Sequence, residues 1–211
     1  MREASIQAVP EARWRCVAAA RVRVWLLLGS ALLIAALSVS GTPALADSAD
    51  DRRVRAGARL FRSLLTAQLA LENKAASDGA LHVVVFGADT GLMPEVSDLI
   101  GNSGESGKAG IRDLPVSIVR VGSLAQLGQV AQPAGVFLAS AQNPADLAEL
   151  IRWSTDAHVV LYSPFEGDVE HGVAAGLAVE AKVQPYLNTG ALQAAGVEIK
   201  PFYLKVAKTF P

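Results

Sequence analysis

Disulfides are excluded before anything else, because the chain has a single cysteine, Cys16, in 211 residues. The three histidines are far apart in sequence, and no second His or Cys cluster completes a tetrahedral zinc set. Basic tracts are missing too. The formal net charge is −1, and lysines and arginines are scattered, so nothing here tracks a phosphate backbone and nucleic acid is excluded as a partner. Aromatic residues make up 6% of the chain and gather towards its end.

Long apolar runs are also scarce, with one exception. Arg13, Arg15, Arg21 and Arg23 precede an uncharged stretch from Val24 to Val39, which leads to Gly41-Thr42-Pro43 and the small-residue triplet Ala44-Leu45-Ala46. That order reads as a secretory signal peptide over residues 1–46, cleaved after Ala46. The stretch is 16 residues, shorter than the roughly 20 of an ordinary spanning helix, which favours cleavage over a retained anchor. Cys16 lies upstream of it, so the exported chain would have no cysteine. The remaining 165 residues carry 14 Lys+Arg against 18 Asp+Glu, a net −4. That length builds one core, burying about 70% of the surface of the unfolded chain.

Residues 47–52, rich in Asp, read as a solvated linker, and residues 53–211 as one domain. From Arg53 to Lys74, Ala58, Phe61, Leu65 and Leu69 recur at helical spacing. Leu81 to Phe86 is a near-continuous apolar run, as a strand covered on both faces requires. A short helix over 92–100, a strand over 116–121, a Ser123-capped helix over 124–130 and a strand over 135–138 follow. Asn143-Pro144 then opens another helix, and a fourth strand covers His158 to Tyr162. This alternation predicts an α/β, Rossmann-like sandwich with a mainly parallel sheet and helices on both faces. After Tyr162 the pattern changes. Residues 173–179 and 182–187 are too close for a crossover and predict an antiparallel C-terminal hairpin. An Asn188-capped helix ending at Gly196, a short strand over Val197 to Ile199 and a Pro201-initiated turn or helix to Lys208 close the chain.

Each candidate for chemistry lacks a part. The segment Gly101 to Gly110 ends in Gly107-Lys108, but Asn102 stands where a phosphate-binding loop needs glycine, Ala109 where it needs Ser or Thr, and it follows a helix rather than a strand. Gly87 and Gly91 do not complete a dinucleotide fingerprint. Glu166, Asp168, Glu170 and His171 put three carboxylates and an imidazole in one turn, a pattern open to a divalent cation or to a solvated hairpin entrance. Ser163 ends the fourth strand, yet Pro164 removes the N–H an oxyanion hole would take from the next residue. No receiver-type acceptor aspartate ends the third strand. The chain therefore reads as non-enzymatic, without metal or cofactor. Surface is what remains: Pro164-Phe165-Glu166 and Pro201-Phe202-Tyr203 set aromatics beside proline, the build of a protein-binding anchor. Phe165, Glu166, Asp168, Phe202 and Tyr203 are the candidate partner contacts.

Gly172-Val173-Ala174-Ala175-Gly176-Leu177, Tyr186-Leu187-Asn188, Ala191, Ala194-Ala195-Gly196, Ile199, Leu204 and Ala207 resemble the closing signature of the YfiR-like (HmsC-like) periplasmic proteins. The resemblance implies a Rossmann-like periplasmic domain that binds the sensor region of an inner-membrane diguanylate cyclase and restrains cyclic-di-GMP signalling and biofilm formation. It implies no catalytic residue. Two departures stand out: the exported chain lacks the cysteines some members pair, and its first helix lacks the family's aromatic-Pro ending. A homodimer is left open. The alternative is a periplasmic small-ligand binding module using the cleft at the carboxyl ends of the strands, and an enzyme built around Glu166, Asp168 and His171 ranks third.

Overall fold

Among the described residues, seven strands form one sheet, in the spatial order 116–121, 81–86, 133–138, 160–163, 175–179, 183–188 and 208–210. The computed structural model describes residues 47–87, 91–101 and 110–211. The signal-peptide reading over 1–46 and most of the Gly101 to Gly110 segment fall outside them. The strands are β1 (Leu81–Phe86), β2 (Val116–Val121), β3 (Pro133–Leu138), β4 (Val160–Ser163), β5 (Ala175–Val179), β6 (Val183–Asn188) and β7 (Lys208–Phe210). The pairings are parallel except for the antiparallel β5–β6 hairpin, and β7 runs parallel to β6. The expected α/β class and C-terminal hairpin are both present.

The β1 run is apolar on both faces because both are covered. Leu81, Val83 and Val85 join one core with α1 (Asp47–Ala67), α2 (Met93–Gly101), and two later helices, α5 (Thr189–Ala194) and α6 (Pro201–Val206). Val84 and Phe86 join the other, under α3 (Leu124–Leu127) and α4 (Pro144–Asp156). Phe61 from α1 sits against Phe137 of β3 and Tyr162 of β4, with centroids 5.6 and 5.4 Å away. Arg62, one residue on, donates to the carbonyls of Ile100 and Gly110 and so ties the end of α2 to α1. Among the described residues, no helix is long and apolar enough to cross a membrane.

Several boundaries differ from the sequence reading, each for a local reason. Residues 47–52 are helical, so they are not a linker. Val54, 3% exposed, extends the apolar stripe one turn earlier than Ala58. The helix ends at Ala67, because Ala70 takes φ 50° and turns the chain so that Leu71 enters the core and Leu69 is left 40% exposed. His158 is not a strand residue but the left-handed exit of α4, at φ 55° with its N–H on Thr155 O. Val197 to Ile199 joins no sheet: Leu69 N–H reaches Glu198 O and Lys200 N–H reaches Ala67 O, so the segment pairs with the end of α1. Gly128 closes α3 short of Val130. The caps at Ser123, Asn143 and Asn188 are as expected, each side chain accepting backbone N–H groups.

Candidate ligand crevice at the strand ends

The chain after β1 enters α2 on one face, while the chain after β3 enters α4 on the other. Adjacent parallel strands whose connections diverge in this way open a crevice beyond their carboxyl ends. A cavity of about 530 Å³ lies there, lined by Asp50, Asp51 and Val54 of α1, Gly91 and Leu92 ahead of α2, Ala139, Ser140 and Ala141 after β3, and Phe165 after β4. The volume falls within the range typical of small-molecule sites.

Close approach of two loops fixes its floor. Gly87, at φ 138°, leaves β1 so near Ser140 that a Cβ on it would lie 2.5 Å from Ser140 Oγ and 3.1 Å from Ser140 N. Ala139 N–H donates to Phe86 O at 2.8 Å, and Gln142 Nε2 donates to Ser140 O at 2.7 Å and to its Oγ at 3.1 Å. The Ser140 side chain is thereby held in place at the crevice.

The wall from the β4–β5 loop is equally braced. Ser163 is fully buried; its hydroxyl donates to Asp168 Oδ2 and accepts from Phe165 N–H at 3.2 Å. Pro164 O accepts from Arg53 Nε at 3.0 Å, and Val169 O accepts from Asn188 Nδ2 at 2.9 Å. Burial pushes the Asp168 carboxyl above its ordinary range, against the opposing pull of the Ser163 hydroxyl and of His171. The serine weighed as a nucleophile thus spends its proton on a carboxylate and lies out of reach of solvent. Two further hollows of about 300 Å³ flank this loop. One is bounded by Arg53, Glu166, Glu170, Glu180, Tyr186 and Lys208, the other by Leu147 and Ile151 of α4 facing Glu166, Asp168 and His171. Among the described residues, no group of three or more His, Cys, Asp and Glu is arranged to hold a metal ion.

Of the five sequence-derived contacts, Phe165, Glu166 and Asp168 share this loop, with Glu166 exposed and 3.8 Å from Arg53. Phe202 and Tyr203 lie elsewhere, on α6, whose start is bonded to the far end of α1. Tyr203 is no surface anchor. It is 6% exposed, its hydroxyl donates to Leu60 O at 3.3 Å, and burial raises its phenol well above the ordinary value. Phe202, next to it, is 61% exposed. The sequence reading missed Asp50, Asp51, Val54 and Ser140, since nothing local marks them and they meet only because β3 lies beside β1.

No family model and no curated protein matches this chain. Among solved structures it is similar to the ABC domain in complex with L-Trp from Streptococcus pneumonia, at 12% identity and a TM-score of 0.45, with 69% of this chain and 61% of that one covered. The chain therefore spans less than two thirds of that structure's length.

Proposed function

We propose that this chain is a non-catalytic small-ligand binding module whose ligand sits in the crevice between the β1 and β3 loops. One observation carries the reading: the 530 Å³ cavity stands at the point where the strand order reverses, walled by braced loops. Thermal-shift screening of the full chain against a broad panel of small solutes tests it. A ligand at a hundredfold excess over its Kd adds about 2.7 kcal/mol, a rise in Tm of roughly 5–10 °C for a chain this size. Absence of any stabilising solute counts against the module.

A second reading, the YfiR-like regulator, is favoured by a different feature. Phe202 and Val206, one turn apart on α6, are 61% and 60% exposed, an apolar pair suited to a protein partner. In that reading the chain is exported, with cleavage after Ala46, and engages an inner-membrane sensor or cyclase. Crosslinking from a membrane fraction should then recover a protein with a periplasmic domain, and Phe202→Asp should abolish the crosslink without unfolding the chain. Recovery unaffected by that substitution would sink the α6 contact.

A further inference from the structure

We infer that α6 and the residues flanking it seat the chain on an anionic lipid surface. The inference comes from where exposed apolar side chains and lysines coincide. Phe202 and Val206, one turn apart, are 61% and 60% exposed. Lys205 stands exposed between them, on the side of α6 away from the buried Tyr203. Lys200 precedes the helix and Lys208 follows it. Residues 200–211 thus hold three of the 14 lysines and arginines of residues 47–211 and none of their 18 acids. This end is cationic on a domain that is acidic elsewhere.

The lysines do not contribute equally. Lys208 holds Glu180 at 2.9 Å and lies over the Tyr186 ring, so it adds to the field rather than reaching outward. Glu72, within electrostatic range of Lys200, is held by Arg112 at 2.9 Å. Glu198, exposed two residues ahead of Lys200, opposes it. Lys205 therefore carries most of the attraction, with Lys200 second. A charge is felt at ordinary salt only within about 10 Å of the headgroups, and the apolar pair that enters the interface stands on the same helix. Lipid suits this build better than a protein pocket, because a fluid interface accepts a protruding ring without a matched shape. A second exposed apolar pair, Val179 and Val183, faces itself across the β5–β6 hairpin, but its turn sets Glu180 beside Lys182 and has no surplus of positive charge.

Residues 47–211 form a compact unit that contains every described helix and strand. They are the form to test, because the apolar run over 24–39 would hold vesicles by itself. Co-sedimentation compares vesicles of pure phosphatidylcholine with vesicles carrying phosphatidylglycerol, and a cooperative thermal transition checks that each variant is folded. The anionic vesicles should bind the chain at least about fivefold more tightly, and the preference should vanish near about 1 M salt. Lys200→Ala with Lys205→Ala, and separately Phe202→Asp, should each weaken binding about tenfold or more. Phe202→Trp should keep it and add a blue shift in fluorescence that the parent lacks. Binding that survives either weakening substitution overturns the inference, as does no binding at millimolar anionic lipid. If vesicles are ignored while Phe202→Asp still abolishes the membrane-protein crosslink, α6 is a protein contact: the lipid inference falls and the regulator reading stands.

Discussion

Two neighbouring aromatics, Phe202 and Tyr203, show how much a single helical step decides. Tyr203→Ala should cost about 3–5 kcal/mol in urea denaturation, because it empties a buried aromatic site against α1. Tyr203→Phe should cost about 1 kcal/mol, the worth of its hydrogen bond to Leu60 O. Phe202→Ala should stay within about 0.5 kcal/mol of the parent. Sequence pattern could name the pair but not separate it, since Pro201 fixes where the helix starts and not which side of it faces α1. Asp168 makes a prediction of another kind. Its carboxyl titrates above the ordinary aspartate value in the folded chain, mainly because burial disfavours the charge. Between the unfolded and folded values the native state therefore binds more protons, and stability falls as pH rises above about 4. Its contribution is complete below the unfolded value and lost as pH rises through the folded one. In Asp168→Asn, which can still accept from Ser163, that part of the decline should vanish. A variant whose stability keeps the parent's pH slope would show that Asp168 does not carry it.

Among the elements, the contact between α1 and β3 leaves no room for a side chain at Gly135. A Cβ on Gly135 would lie 2.9 and 3.2 Å from the Phe61 ring and 3.0 Å from Leu65 Cδ2, and Phe61 is already wedged between Phe137 and Tyr162. Gly135→Ala should thus destabilise by about 1–3 kcal/mol through overpacking, read as a lower urea midpoint at unchanged m-value. Elements with strong local signals were legible in advance: the apolar run of β1, the Asn143-Pro144 start of α4 and the Asn188 cap of α5 all stand where periodicity and capping put them. Those decided by tertiary pairing were not. Val197 to Ile199 has strand composition but meets the end of α1, and Lys208-Thr209-Phe210, three residues with no alternation to read, becomes β7 because β6 offers it an edge.

At the scale of the whole molecule, the class was readable from the alternation of strands and helices, but the crevice was not, because it depends on strand order. Order arises from which crossover passes over which face, and no single residue encodes that. The same scale gives α1 a further meaning. Its 21 residues run about 31 Å, from the crevice at one end to a clamp at the other, where Arg112 takes Thr66 O and Gln68 O and Lys200 N–H takes Ala67 O. Phe61, Leu64 and Leu65 near the clamp are at most 1% exposed, while Asp50 at the crevice end is exposed. Amide exchange along this one helix should therefore be graded in time, fast in the first turns and slowest near Leu65. A crevice ligand should slow the fast end and leave the slow end unchanged, so a single helix would serve as its own internal clock for occupancy.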